Sequence, residues 1–341
     1  MSATFGIDFG TTNSLVSIIK LDVETKQNVP ETFLQNGSPH PSVVWYAGGG
    51  RIVAGQKAKE QLSELGVGVF GDIVRSPKSF LGSPTGIHVG GIHRPAEDVV
   101  AEILKHLRQD ALARGKEKNT FETAVVTIPV SMKGNARAEL RHAAQKAGIR
   151  IHRFVHEPLA ALYGFLRTSQ NFKHDFAGLE GRCVLVFDWG GGTLDLTLCQ
   201  VKGGVLTQVL NKGDPEVGGD RFDECIRRLV QQKFEALHPK ADWARKQDNA
   251  EKRLIRECEA AKIALSIKEK RILVVKDFLA DDGPARNLNV EITQQELEQA
   301  VRMLIETGLG DIDGLLAAAG MALTDVEFCL ATGGMASMPA I

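Results

Sequence analysis

The 341-residue chain carries 41 basic and 42 acidic residues, and a net charge of −1 gives no electrostatic footprint for nucleic acid or an anionic membrane. An apolar content of 43% is that of a folded protein, and the length exceeds one simple core and suits two lobes. Five scattered cysteines (Cys183, Cys199, Cys225, Cys258, Cys329) without a C-x-x-C pair read as reduced thiols in a cytoplasmic protein, with no leader segment and no apolar run of membrane-spanning length.

In chain order, Phe5-Gly-Ile-Asp-Phe-Gly-Thr-Thr-Asn-Ser14 reads as a strand entering a glycine turn, and Val16–Leu21 completes a hairpin. Asp8 is expected on the buried side just before the turn. Residues Asn36–Gly50 read as loop and short strand, and Ala54–Leu65 as a short helix. Gly66-Val-Gly-Val-Phe-Gly71 spells G-x-G-x-x-G but follows a helical pattern rather than a strand, so the dinucleotide context is missing. Glu97–Ala113 is an amphipathic helix stopped by Gly115. Glu122–Ile128 is a buried strand, and Asn135–Ala147 a helix closed by Gly148. His152 and His156 beside Glu157 lack the H-E-x-x-H order of a zinc site.

Gln170–Gly181 reads as a polar connection between lobes. Val184-Leu-Val-Phe-Asp-Trp-Gly-Gly-Gly-Thr-Leu-Asp-Leu196 then repeats the opening hairpin, with Asp188 in the place of Asp8. Consecutive N–H groups in such turns form a cup for anions, and Thr11, Thr12 and Thr193 add hydroxyl donors. An aspartate beside each cup can hold hydrated Mg²⁺, which prefers one or two carboxylates plus water and phosphate oxygens. Two such cups can grip a polyphosphate from both sides. Trp189 reads as a packing residue whose indole needs one N–H partner. Phe222–Leu237 and Asn249–Ser266 read as helices, Arg271–Asp277 and Asn287–Ile292 as strands. Thr293-Gln-Gln-Glu296 is a capping box opening another helix, and Val326–Ala331 a final strand.

The paired turns resemble the phosphate hairpins of the actin/sugar-kinase/heat-shock ATPase superfamily. The wording Gly-Ile-Asp-Phe-Gly-Thr-Thr-Asn-Ser is closest to the seventy-kilodalton heat-shock chaperones, the DnaK family. That resemblance implies an α/β, two-lobed actin-like ATPase fold of duplicated ribonuclease-H-like cores, each lobe with an insertion subdomain. Lobe one would span 1–177 with an insertion at roughly 37–101, and lobe two 178–341 with an insertion at roughly 219–292. The implied ligands are ATP or ADP with Mg²⁺ and K⁺. The implied activity is slow ATP hydrolysis that controls lobe closure and client binding in a monomer served by cochaperones and a nucleotide exchange factor.

Carried over residue by residue, the resemblance places Gly10, Thr11, Thr12 and Asn13 and Gly190, Gly191, Gly192 and Thr193 on the phosphates, with Asp8, Asp188 and Glu157 at the metal. Lys78, in Arg75-Ser-Pro-Lys-Ser-Phe-Leu-Gly82, takes the place of a lysine aimed at the γ-phosphate. Glu157 stands in a match to N-E-P-x-A-A, at a helix start where it can orient water. Thr193 and Asp195 are further catalytic candidates beside Asp188. Glu216-Val-Gly-Gly-Asp-Arg-Phe-Asp223 supplies Gly218, Gly219 and Asp220, and Glu259-Ala-Ala-Lys-Ile-Ala-Leu-Ser266 supplies Glu259, Lys262 and Ser266 for the adenosine. Gly333, Gly334 and Met335 would back the adenine ring. Ile263 replaces a stacking arginine, and Met335 and Ser337 replace a serine and an arginine, which alters the adenine pocket and weakens nucleotide binding. Pro129 and Arg137 match a relay from nucleotide to surface. A closing helix, a linker and a peptide-binding domain are expected beyond Ile341. The rival readings are a small-molecule kinase and an actin-like filament or scaffold protein.

Overall fold

The computed structural model describes residues 4–22, 28–64, 72–114, 120–280 and 283–341. The Gly66–Gly71 motif and the helix stop at Gly115 lie outside them. Contacts divide the chain into two units, Met1–Ala160 and Ala161–Ile341.

The first unit opens with β1 (Thr4–Phe9) and β2 (Asn13–Leu21), followed by β3 (Asn28–Phe33) and the short β4 (His40–Pro41). Alternation decides which face is buried: Phe5, Ile7 and Phe9 of β1 and Ser14, Val16 and Ile18 of β2 point into the core. A smaller layer follows, built from β5 (Val43–Tyr46), β6 (Ile52–Ala54), α1 (Gln56–Glu64), β7 (Ile73–Arg75), β8 (Ile87–Val89) and β9 (Ile92–Arg94). Then come α2 (Ala96–Arg114), β10 (Thr123–Ile128), α3 (Gly134–Lys146), β11 (Arg150–His156) and α4 (Glu157–Arg167), the last running across the unit boundary. The main sheet has the order β11-β10-β1-β2-β3, with β4 on β2. Strands β1, β10 and β11 are parallel, whereas β1, β2 and β3 are antiparallel. Helix α2 covers the sheet with Val100, Ile103, Leu104, Leu107 and Ala111, spaced three and four apart on one face.

The second unit holds α5 (Phe172–Gly178), β12 (Cys183–Trp189), β13 (Leu194–Lys202), β14 (Val205–Asp214), α6 (Gly219–Leu237), α7 (Ala250–Leu265), β15 (Lys270–Val275), β16 (Leu288–Thr293), α8 (Gln294–Ala318) and β17 (Val326–Thr332). Its sheet has the order β14-β13-β12-β17, with β12–β13–β14 antiparallel and β12 parallel to β17. Three antiparallel strands joined through the first to a parallel partner is the pattern of the first unit again. The mixed α/β architecture is that of an actin-like ATPase domain. No helix among the described residues is long and apolar enough to cross a membrane.

The segment Gln170–Gly181, expected as a polar connection, carries a short helix, α5. Phe172 and Phe176, four apart, give α5 an apolar stripe, with ring centroids 5.5 Å apart, and Phe172 meets Tyr163 edge-on at 5.7 Å.

Candidate functional site

In the first unit, Asp8 pairs in register with Thr127, and Thr127 with Val155, so the carboxyl ends of three parallel strands are level. Open α/β sheets bind ligands at that edge. The strand period places Asp8 on the exposed side of β1, opposite Ile7 and Phe9, rather than on the buried side. Its Oδ1 accepts a 2.6 Å hydrogen bond from Thr127 Oγ1. Residues Thr11, Thr12 and Asn13 are exposed on the turn. A side chain on Gly10 would put Cβ 2.1 Å from the Asn13 carbonyl oxygen, so only glycine allows a turn this tight.

The turn is held from beneath by Ser42, which sequence reasoning missed. Ser42 Oγ donates to the Gly10 carbonyl at 2.9 Å, its N–H donates to the Thr12 carbonyl at 2.8 Å, and its Oγ meets buried Ser14 Oγ at 3.0 Å. A serine in a loop carries no sequence signal for this; the β2–β4 pairing of Ser14 with His40 creates it.

Two catalytic candidates converge in this unit. Lys78 lies in a short 3₁₀ turn, Pro77–Phe80, and is 8% exposed. Its Nζ donates to Glu157 Oε1 at 2.8 Å and sits 5.8 Å from the centroid of the Phe9 ring. Glu157 is the first residue of α4, just past the end of β11, with Pro158 suited to the first helical turn.

In the second unit, Asp188 is half-buried at the carboxyl end of β12, in register with Asp195 on β13 and Thr332 on β17. The turn closes through Gly190 N–H to the Thr193 carbonyl at 2.9 Å, leaving Gly191, Gly192 and Thr193 exposed. Thr193 Oγ1 donates to Asp195 Oδ2 at 2.6 Å. The start of α6 backs this turn: Gly219 N–H donates to the Gly190 carbonyl at 3.0 Å and Asp220 N–H to the Gly191 carbonyl at 2.7 Å. Gly218, the N-cap of α6, is buried beside it. Gly333, at φ +84°, follows β17. A Cβ there would lie 2.3 Å from the Trp189 carbonyl and 2.6 Å from Asp188 Oδ1.

Lys262 is buried in α7. Its Nζ donates to the Gly219 carbonyl at 2.9 Å and pairs with Asp223 at 2.8 Å, so it fixes the α6 start that backs the glycine turn. Burial pushes the Asp223 carboxyl up to about 6, against the opposing pull of the Lys262 ammonium. A Cβ on Gly219 would fall 2.9 Å from Met335 Sδ and 3.1 Å from Lys262 Nζ, which shows how closely these three segments meet. Glu259 is exposed and Ile263 is 64% exposed on the same helix, while Ser266 Oγ donates back to the Lys262 carbonyl at 3.2 Å. Gly334 is exposed and Met335 buried. Trp189 is fully buried, and its indole N–H donates to the Val217 carbonyl at 2.6 Å.

A family model described as Hsp70 protein matches residues 84–341. The chain belongs to the Hsp70 family. It is 29% identical over 337 residues to the chaperone protein DnaK of Methanothermobacter thermautotrophicus, covering 98% of this chain and 54% of that protein. It is 31% identical over 345 residues to the chaperone protein DnaK of Metamycoplasma hominis, covering 98% and 53%. The chain therefore spans about half the length of the curated relatives it matches.

Proposed function

We propose that this Hsp70-family chain binds ATP and ADP with Mg²⁺ and slowly hydrolyses ATP, with Lys78, Glu157, Asp188, Thr193 and Asp195 in the catalytic roles. The observation that carries this reading is the placement of an aspartate and an exposed glycine-threonine turn at the carboxyl edge of each unit's parallel strands, at Asp8 and at Asp188. The turn residues Gly10–Asn13 and Gly190–Thr193 offer backbone and hydroxyl donors to phosphates. Gly218, Gly219, Asp220, Glu259, Lys262, Ile263, Ser266, Gly333, Gly334 and Met335 form or support the adenosine surface.

Among the described residues no group of three or more His, Cys, Asp or Glu is arranged to hold a metal. Mg²⁺ needs only one or two carboxylates, together with water and phosphate oxygens. Asp8, exposed with Oδ1 held by Thr127, and Asp188 fit that role, with Glu157 assisting through water. When bound, the metal neutralises phosphate charge. Lys78 places a cation, oriented by Glu157, for the transferring phosphoryl group. Asp195, fixed by the Thr193 hydroxyl, is positioned to orient water.

The proposed output is a nucleotide-dependent closure of the lobes that controls client binding in the cytoplasm, assisted by cochaperones and an exchange factor. Release of inorganic phosphate from ATP in Mg²⁺, without a sugar acceptor and without sedimentable polymer, is the expected result. A requirement for a small-molecule acceptor would establish a kinase, and nucleotide-dependent polymers a filament protein.

A further inference from the structure

Away from the glycine turns, the β8–β9 hairpin ends on Arg94, whose guanidinium lies 4.4 Å from the centroid of the Tyr46 ring. Both residues line a cavity of ≈ 390 Å³ that also receives Ile52 and Ala101 and four charged side chains. Among those four, charges are already matched. Lys105 Nζ lies 2.7 Å from Glu102 Oε1, and Lys146 Nζ lies 2.6 Å from Asp98 Oδ1 and 2.5 Å from Glu97 Oε1, just outside the lining. Arg94 is the cation left over. It forms no ion pair with any described residue, and its buried Nε has no acceptor. Tyr46 is over nine-tenths buried, with its ring under the Arg94 guanidinium. Burial pushes its phenol up to about 12, so it stays a proton donor across the working range.

A buried polar group without a partner calls for one, and a guanidinium offers parallel donors that match a carboxylate. We propose that this cavity is a binding site for a small monocarboxylate, its carboxylate paired with Arg94 and Tyr46 Oη and its apolar body against Ile52 and Ala101. Arg94 is the one cation of the lining without a carboxylate, and Glu97 on Lys146 leaves no further positive charge nearby, so the site takes a monoanion. A phosphate dianion would bring a second charge beside Asp98 and Glu102 with no cation to meet it. The site lies wholly within the first unit and is independent of the nucleotide reading.

The test is a titration of the full chain with benzoate, followed by NMR at the Arg94 Nε–H and the Ala101 amide. Saturable shifts at both are expected, with none from neutral benzamide. Arg94→Gln should lose roughly tenfold or more in affinity, the scale of one charge-assisted hydrogen bond. Benzamide binding as well as benzoate, unchanged benzoate affinity in Arg94→Gln, or displacement of benzoate by inorganic phosphate at lower concentration would each overturn the proposal. Should Arg94→Gln fail to fold, Tyr46→Phe removes one oxygen and leaves the ring under Arg94. It should weaken benzoate severalfold, and parental affinity in that variant would also overturn the proposal.

Discussion

The Lys78 ammonium lies 2.8 Å from Glu157 Oε1, so two residues 79 positions apart meet in one ion pair whose lysine is buried and whose carboxylate is partly exposed. The pair joins the 3₁₀ turn at Pro77–Phe80 to the first residue of α4, and it sets the geometry of a cation next to the Phe9 ring.

If Lys78 acts on charge that develops in the transition state, Lys78→Ala should lower single-turnover ATP hydrolysis by on the order of 10²–10³ while ADP affinity changes little. Parental turnover in that variant would remove Lys78 from the catalytic set. Glu157→Gln should also cost about 1–3 kcal/mol in urea unfolding, because it strands a buried ammonium, whereas Lys78→Met should cost less. Equal stability of the two variants would contradict the asymmetry.

Gly308 in α8 and Trp189 in β12 form a packing pair. A Cβ on Gly308 would come 2.7 Å from Trp189 Cη2 and 3.1 Å from a methyl of Leu194. Alanine normally gains up to about 1 kcal/mol over glycine inside a helix. Gly308→Ala should instead destabilise by about 1–3 kcal/mol through overpacking. In a Trp189→Phe background the penalty should shrink, and a double-mutant cycle showing no coupling would refute the contact.

Gly333 and Gly334 are adjacent but not equivalent. The first has φ +84° and backbone within 2.3 Å of an added Cβ, whereas nothing lies within 4 Å of a Cβ on the second. Gly333→Ala should therefore displace Asp188 and reduce both stability and nucleotide affinity. Gly334→Ala should fold within about 0.5 kcal/mol of the parent, as substitutions away from packed features do. Similar unfolding curves for the two variants would contradict this.

Much of the fold was legible because period and punctuation coincide with packing. The alternation of Phe5, Ile7 and Phe9, the glycines at each turn and the Thr293–Glu296 capping box all act locally, and the capping bonds are present in the structure. Ser42, Asp223 and the strand Val205–Asp214 were not read. The first two gain their roles from partners brought by pairing and helix contact, with Ser42 on Gly10 and Asp223 on Lys262. Strand β14 half-buries Leu206 and Leu210 but sets Val205 and Val209 on its exposed side, so its apolar residues do not alternate cleanly as a one-sided strand would. Position relative to the glycines suggested that Asp8 was buried, but side-chain alternation along β1 decides otherwise.

Acid should reveal a buried imidazole in the first unit. His106 on α2 has Nε2 without a partner, and burial, reinforced by His40 edge-on at 5.6 Å, holds it below the usual 6.5. Asp110 opposes that shift, and Arg114 and Lys57 add to it. The fold favours the neutral ring, so its stability is intact above the unfolded value of 6.5 and is lost as pH falls below it toward the folded pKa. Unfolding free energy should decline from about pH 6.5 downward, and His106→Gln should flatten that slope. An unchanged slope in the variant would assign the acid sensitivity elsewhere.

Calorimetric titration of the chain with ADP, with and without Mg²⁺, is the deciding measurement for nucleotide binding. One ADP per chain should bind, more tightly with Mg²⁺, and both Asp8→Asn and Asp188→Asn should reduce the Mg²⁺ effect. No heat with ADP or ATP, or binding of NAD in their place, would contradict the proposed ATP and ADP site.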